Sequence, residues 1–523
     1  MTEAKAGAAA YNAAADLIGR NIAAGRAAKI AYVDDADSLT YGALADRAAR
    51  AGAALADLGL VAEQRIVLCM QDTTDFPVVF LGAILGGIVP VPVNTLLTPD
   101  DFAYILADSR ARAVVVSAPL VPAIEAAIAR LEGARPLVVV AGKEPAGGHL
   151  RLGDLIDGAA PLPAPQPASR DMPCLWLYSS GSTGRPKGTV HAHGSLVATA
   201  ECYGVPVLGL REDDVVHSAA KLFFAYGLGN ALTFPLAVGA SVVLNPGRPT
   251  PEAVSTILRR HRPTVFCGVP TLYASLLASP DLPGADEVPL RRCTSAGEPL
   301  PEEIGRRWRA RMGTDILDGI GSTEMLHIFL SNRPDAVRYG TTGKAVPGYD
   351  LRIVDEEGRE TPPGEIGELL VRGPSSALHY WNNRAKSAET FSGHWTRTGD
   401  KYRLDADGYH VYCGRGDDML KVGGIYVSPA EVEAALVAHP AVLEAAVVGA
   451  MDEAGLVKPK AFVVAQPGTR GDAALAEALK AHVKDRLAPY KYPRWIVFVD
   501  DLPKTATGKI QRFRLRATDT ERS

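Results

Sequence analysis

The stretch Tyr178-Ser-Ser-Gly-Ser-Thr-Gly-Arg-Pro-Lys-Gly188 constrains this chain more than any other. Small hydroxylated residues alternate with glycines, and a lysine closes the run. The apolar Cys174-Leu-Trp-Leu-Tyr178 ahead of it reads as a strand, and a helix is expected to begin within Thr189-Val-His-Ala-His-Gly-Ser-Leu196 behind it. A strand that breaks into Gly, Ser and Thr offers backbone N–H groups and hydroxyls to a single anion, and glycine lets the backbone come close. Lys187 adds a mobile positive charge. The chemistry this pattern points to is polyphosphate binding. It is not a Walker A loop, which places Gly-Lys directly before Ser or Thr; here Lys187 follows Arg185-Pro186 and precedes Gly188. The apolar, β-prone flanks are unlike those of a flexible Ser/Gly linker.

A chain of 523 residues has room for two or more domains with substantial cores. Its net charge of -4 leaves no broad basic field for nucleic acid. Cys69, Cys174, Cys202, Cys267, Cys293 and Cys413 are scattered and form no C-x-x-C pair, so neither a zinc site nor a disulfide framework is expected. Reduced, mostly buried thiols and a cytoplasmic home follow. The alanine-rich start lacks a basic segment followed by a strongly apolar one, so no signal peptide is expected. Residues 76–93 carry no charge, but Pro77, Pro90 and Pro92 and several glycines interrupt them. A bilayer span needs about 20 continuous residues. A buried helix over 77–87 and a short strand over 89–93 are expected instead, with no membrane partner.

Strand and helix patterns alternate along most of the chain. Ile30–Val33 and residues 38–41 pair as a hairpin, residues 41–58 form an Ala/Leu helix with Gly59 at its end, and Arg65–Cys69 is a strand. Thr98-Pro-Asp-Asp opens a helix, and Ala113–Ser117 and residues 136–140 are β-branched runs of the buried parallel kind. After a Pro-rich connector and the glycine stretch, the alternation resumes to Gly321, with Tyr226-Gly-Leu-Gly229 read as a turn. Residues 343–414 are β-rich. A run of α, β, β, α, β follows Asp417 and is long enough to fold alone. The expected fold is α/β: a large multi-sheet α/β N-terminal domain over 1–416 and a small α+β C-terminal domain over 417–523.

Several further motifs share one order. Gly321-Ser-Thr-Glu324, Trp395-Thr-Arg-Thr-Gly-Asp400, Gly414-Arg-Gly-Asp-Asp-Met-Leu-Lys421 and Pro503-Lys-Thr-Ala-Thr-Gly-Lys509 all follow the glycine stretch. Together they resemble the adenylate-forming enzymes: acyl- and aryl-CoA synthetases, luciferases and peptide-synthetase adenylation domains. The resemblance runs over almost the whole chain and implies that the C-terminal domain is a mobile lid. It implies ATP, Mg²⁺ and coenzyme A as ligands. Ser179, Ser180, Gly181, Ser182, Thr183 and Gly184 would then cradle the β- and γ-phosphates with Lys187. Thr323 would contact the α-phosphate, and Glu324 would hold Mg²⁺. Ala296, Gly297, Glu298 and Asp318 would flank adenine, Asp400 and Arg415 the ribose, and Lys509 the reacting carboxylate. Many relatives carry an aromatic residue before the glycine of G-x-T-E; Ile320 stands here, so aliphatic packing of adenine is expected. In the CoA-ligase branch the lid turns about the hinge aspartate, here Asp417, and brings Lys421, Gly423 and Gly424 to the pantetheine arm.

No carrier-protein motif follows Lys509, so a free thiol acceptor is expected. For the acid, Phe223, Phe224, Ala225, Tyr226, Gly227 and His327 are expected to line a short, flat pocket rather than an alkyl tunnel. With Leu487-Ala-Pro-Tyr-Lys-Tyr-Pro493 these stretches resemble bacterial benzoate-CoA ligases and their 4-hydroxybenzoate relatives. The resemblance implies benzoate as the acid, with hydroxy- or aminobenzoate second and a short alkyl acid third. It leaves room for a homodimer, and for a lysine acyltransferase that acts on Lys509 as in some relatives. A non-catalytic nucleotide binder and an oxidative luciferase are readings of other classes on the same scaffold.

Overall fold

The computed structural model describes residues 10–143, 147–181, 184–416, 418–422, 425–452, 456–488, 490–504 and 510–520. Strands buried on both faces need apolar side chains throughout, and the β-branched runs supply them. Arg65–Cys69, Ala113–Ser117 and Leu137–Ala141 are central in a parallel five-stranded sheet, with Val89–Pro92 and Leu150–Arg151 at its edges. Pro90 and Pro92 fit because an edge strand can lose donors on one side. The uncharged segment before them forms the helix Asp75–Leu85, which is apolar all round and buried from Phe76 to Leu85. No helix among the described residues is long and apolar enough to cross a membrane. All six cysteines are free thiols.

A second sheet has nine strands. Its central parallel set runs Ile316–Gly321, Arg292–Ser295, Val265–Gly268, Val215–Ser218, Ser241–Val243 and Ile30–Val33. Antiparallel strands close both ends, including the expected partner Ser38–Thr40. In parallel α/β sheets ligands bind beyond the carboxyl ends of the strands. Here Ser295 pairs with Asp318, so the Ala296-Gly-Glu298 turn leaves the sheet beside the carboxyl half of the Ile316–Gly321 strand.

The glycine stretch differs from the expectation. It is the tip of an antiparallel hairpin, Pro173–Gly181 with Gly184–Ala192, in which Tyr178 faces Gly188 and Ser179 faces Lys187. The helix behind it starts at His193, within the stretch expected to open one. The second strand persists because His379–Tyr380 pairs with Val190 and Thr189 and satisfies its outer edge. The Tyr226–Gly229 segment is also not a turn: Ala225–Leu228 is α-helical and Gly229–Thr233 continues as a π-helix. Thr398-Gly-Asp400 lies inside the long strand Trp395–Leu404 of an antiparallel sheet rather than in a loop.

After Arg415 the chain forms the predicted α, β, β, α, β run, with sheet order Val442–Met451, Val457–Ala465, Trp495–Phe498. A hairpin, Leu420–Val422 with Ile425–Val427, precedes it and the helix Arg512–Thr520 follows it. Val432, Leu436, Val447, Val463, Leu479 and Val483 form a core of their own. A large N-terminal part with several sheets and a small C-terminal part with its own core match the expected fold class.

Candidate active site

The phosphate hairpin is clamped by aromatic side chains. Trp381 donates its backbone N–H to Gly188 O at 2.7 Å and its indole N–H to Asp108 O at 2.9 Å. Its ring lies 4.7 Å from that of Trp176. Tyr178 donates to Asp108 Oδ2 at 2.6 Å, and Tyr104 to Pro186 O at 3.1 Å. The tip therefore hangs from a fixed base. Within it the buried Ser179 hydroxyl has no hydrogen-bond partner among the described residues. Buried polar atoms are nearly always satisfied, so an orphan here fits a ligand oxygen. Ser180, Gly181 and Gly184 continue the strands; Ser182 and Thr183 lie outside the described residues.

Lys187 points from the hairpin toward Glu324, with Tyr380 between them. The ammonium sits 4.6 Å from the centre of the Tyr380 ring, and the Tyr380 hydroxyl donates to Glu324 Oε1 at 2.7 Å. Burial draws the Lys187 pKa below the ordinary lysine value, and the Glu324 carboxylate opposes the shift. Tyr380 was not among the residues predicted from sequence. Its signal is the strand pairing with Thr189, which is long-range and silent in local pattern.

Thr323 is tied to the same hairpin. His191 is fully buried, and its Nε2 lies 2.8 Å from Thr323 O. A carbonyl only accepts, so Nε2 carries the proton. Burial lowers the His191 pKa to about 4, so the ring is neutral at neutral pH. Ala377 donates its N–H to Glu324 O at 2.8 Å. Two residues on, Leu326 has φ 63°, a left-handed conformation rare outside glycine. Such a residue costs of order 1–3 kcal/mol and recurs where surrounding structure holds a functional segment in place. The reversal here separates Glu324 from His327, so one faces the phosphate hairpin and the other an aromatic box.

In the turn after Ser295, which the sequence predicts to flank adenine, Gly297 takes φ 98°. Glu298 Oε1 accepts the backbone N–H of Ile510 at 2.7 Å. That bond docks the C-terminal loop on the turn predicted to flank adenine. Asp318 is buried, its Oδ1 has no hydrogen-bond partner among the described residues, and burial holds its pKa well above the ordinary value. Asp400 and Arg415 face each other across adjacent strands, with Nη1 to Oδ1 at 3.3 Å. Gly399 between them has φ 73°, and a Cβ there would lie 2.9 Å from Arg415 Nη2. The positive φ, with the Arg415 guanidinium so close, favours glycine at this position.

The predicted acid-pocket residues converge. Nε2 of His327 donates to Tyr226 O, the two atoms 3.2 Å apart. The His327 ring centre lies 4.5 Å from that of Phe234, 5.4 Å from Tyr203 and 5.5 Å from Tyr226. Phe223 and Phe224 stand 4.5 Å apart beside the segment. Burial lowers the His327 pKa to about 3, so it works as a neutral, flat wall. Gly229 makes room for it: a Cβ there would lie 2.2 Å from His327 Cδ2. Tyr203, Phe234 and Gly229 were missed because they sit among ordinary apolar residues in sequence. Behind the segment, the buried Asp72 accepts the N–H of Leu222 with both oxygens, at 3.1 and 3.3 Å. Ala225 and Gly227 lie in the short helix that carries Tyr226.

The structure thus gathers Ser179, Lys187, Thr323 and Glu324 at the hairpin, Ala296 to Glu298 with Asp318 beside the sheet ends, and Asp400 with Arg415 on a neighbouring sheet. Asp417, Gly423, Gly424 and Lys509 lie outside the described residues; of Lys421 only the strand backbone is described.

Comparison with known proteins gives one answer. The profile of the AMP-binding enzyme family matches residues 20–381, and that of the AMP-binding enzyme C-terminal domain matches residues 431–509. The benzoate–CoA ligase of Thauera aromatica is 62% identical over 509 residues, which cover 97% of this chain and 96% of that one. The 4-hydroxybenzoate–CoA/benzoate–CoA ligase of Rhodopseudomonas palustris is 53% identical over 511 residues, covering 97% and 94%. A benzoate CoA ligase from Burkholderia xenovorans LB400 has a solved structure that matches with a TM-score of 0.92 at 56% identity, covering 97% of this chain and 100% of that one. With the phosphate hairpin, the Thr323-Glu324 element and the Asp400–Arg415 pair in one molecule, this chain belongs to the AMP-binding enzyme family.

Proposed function

We propose that the protein joins benzoate to coenzyme A at the expense of ATP, through benzoyl-adenylate, with release of pyrophosphate and AMP. The observation that carries this reading is the 62% identity to the Thauera benzoate–CoA ligase along nearly the full length of both chains. The ring of aromatic side chains about His327 supports a flat acid over a long alkyl chain. A 4-hydroxybenzoate activity is the second reading. The Nδ1 of His327, which has no hydrogen-bond partner among the described residues, favours it, since a ring hydroxyl could satisfy that atom. The reading predicts AMP release that requires ATP, benzoate and coenzyme A together.

A carboxylate is a poor acylating agent because its leaving group would be oxide. Attack of a benzoate oxygen on the α-phosphorus breaks the bond to pyrophosphate, which leaves with the electron pair, and gives a mixed anhydride. In this reading Ser179, Ser180, Gly181, Ser182, Thr183, Gly184 and Lys187 receive the β- and γ-phosphates, Thr323 the α-phosphate, and Lys509 the oxygens that gather charge. Asp400 and Arg415 hold the ribose, and Ala296, Gly297, Glu298 and Asp318 the base. Mg²⁺ is usually held by one or two carboxylates, with phosphate and water oxygens completing its shell. Glu324 fits that role, and no all-protein cluster of three or more metal-ligating side chains occurs among the described residues. Bound there, Mg²⁺ would supply charge neutralisation along the phosphates.

In the second half-reaction the thiol of coenzyme A attacks the benzoyl carbon and AMP departs. We place a hinge at Asp417, between domains 1–416 and 417–523, and the pantetheine path at Lys421, Gly423 and Gly424. Replacing Asp417 with proline is expected to spare pyrophosphate release and lower thioester formation by about tenfold or more. Single-turnover assays of the two steps check this; equal loss in both would remove the hinge from Asp417. Truncating His327 to alanine is expected to raise the KM for benzoate by about tenfold and leave the KM for ATP within about twofold. Unchanged benzoate kinetics would return His327 to a packing role. Acylation of Lys509 would remove the charge that adenylation needs, so an acyltransferase belongs to the same proposal. A cytosolic home and a homodimer are its remaining parts; the six free thiols support the first.

A further inference from the structure

The hairpin Pro173–Gly181 with Gly184–Ala192 borders a cavity of about 480 Å³, and of its lining the reaction described above uses only Lys187. Tyr104, Asp108, Arg185, Lys187, Lys386 and Glu389 line it. Its three cations outnumber its two carboxylates. Asp108 is already engaged by the Tyr178 hydroxyl at 2.6 Å. Glu389 pairs with Lys386 at 2.8 Å, with their side chains 65% and 39% exposed. An exposed pair of this kind contributes little, so a more highly charged anion can take its place at little cost. Arg185 lies over the Tyr104 ring, 5.2 Å from its centre, and Tyr104 is itself anchored on Pro186 O. That keeps the guanidinium at the cavity.

Lys187 is common to this cavity and to the catalytic side. Its ammonium lies over Tyr380, whose hydroxyl holds Glu324, and it also lines the cavity. It feels Glu324 on one side and Lys386 with Glu389 on the other. Adenylation, on which this inference rests, leaves pyrophosphate with the electron pair of the broken bond on the former α–β bridging oxygen, now a terminal oxygen of the β-phosphate. The product then carries more charge than its site was built around, and its departure calls for further cations.

We propose that this cavity is the berth through which pyrophosphate leaves: Lys386 exchanges Glu389 for the departing anion, and Arg185 and Lys187 complete its shell. The test is the reverse reaction, with the full chain converting benzoyl-adenylate and pyrophosphate into ATP over a range of pyrophosphate concentrations. K386Q and R185Q are each expected to raise the KM for pyrophosphate by about tenfold, and more than they raise the KM for ATP in the forward direction. K386R is expected to restore it, and E389Q to lower it by removing the competitor. An unchanged pyrophosphate KM in K386Q, or an ATP KM that rises in step with it, would overturn the berth. So would inorganic phosphate competing as well as pyrophosphate, because the cavity would then be a general anion site. Wild-type protein that forms no ATP from benzoyl-adenylate would refute the adenylation reading itself, whereas active wild type with unaltered variants refutes only the berth.

Discussion

Replacing Lys509 with alanine is expected to lower benzoyl-adenylate formation by about 10²–10³-fold, while preformed benzoyl-adenylate is still converted to benzoyl-CoA at near the wild-type rate. The magnitude is that of removing one preorganised donor from a developing charge, about 3–4 kcal/mol. The asymmetry between half-reactions follows from the lid. Ile510, the next residue, donates its N–H to Glu298 on the turn read as flanking adenine, which supports a place for the neighbouring lysine in adenylation. In the proposed domain rotation Lys509 would leave before the thioester step, which would then not need its charge. Rapid-quench measurement of each half-reaction reads the result. Equal loss in both steps would mean that Lys509 supports the lid rather than the chemistry.

The second large effect is expected at Glu324. Replacing it with alanine should cost about 10²-fold in adenylation and raise the Mg²⁺ concentration needed for half-maximal rate. Tyr380 donates to Glu324 Oε1 at 2.7 Å and lies under Lys187, so it is placed to orient both charges. Tyr380→Phe keeps the ring and removes one charge-assisted bond, and about a tenfold loss is expected. A Phe variant as impaired as the Glu324→Ala variant would give the hydroxyl a direct part in the reaction. Titration of Mg²⁺ against initial rate separates the cases.

How far the fold can be read from residues depends on where each element finds its partners. Ala113–Ser117 and Arg65–Cys69 are legible because a run of β-branched residues needs burial on both faces and little else. Helix Pro99–Ser109 announces itself through Thr98 and Asp101, which form a capping box in the structure. The phosphate hairpin is different. Gly and Ser carry no periodicity, and the second strand survives because residues 379–380, far along the chain, complete its edge. Gly227 and Gly229 argue locally for a turn, yet packing against Lys221 O and His327 leaves room only for glycine on a helical path. Thr398-Gly-Asp400 likewise looks like a turn until its pairing partner, Arg415, is seen.

The candidate site follows the same rule. Lys187, Thr323, Glu324, Asp400 and Arg415 stand in short motifs whose chemistry is legible in the residues themselves. Tyr380, His191, Tyr203 and Phe234 are ordinary in sequence, and they acquire a part only through contacts made across the fold. Residues that touch the reacting groups leave local patterns. Residues that hold those groups in place mostly do not.

The most direct measurement is benzoyl-CoA formation with purified protein across benzoate, 4-hydroxybenzoate, 2-aminobenzoate, cyclohexanecarboxylate and hexanoate, compared as kcat/KM with pyrophosphate release followed in parallel. Benzoate ahead of every other acid, with one pyrophosphate released per thioester, is the expected result. Hexanoate ahead of benzoate would contradict the flat aromatic box about His327, and pyrophosphate release without any thioester would contradict coenzyme A as the acceptor.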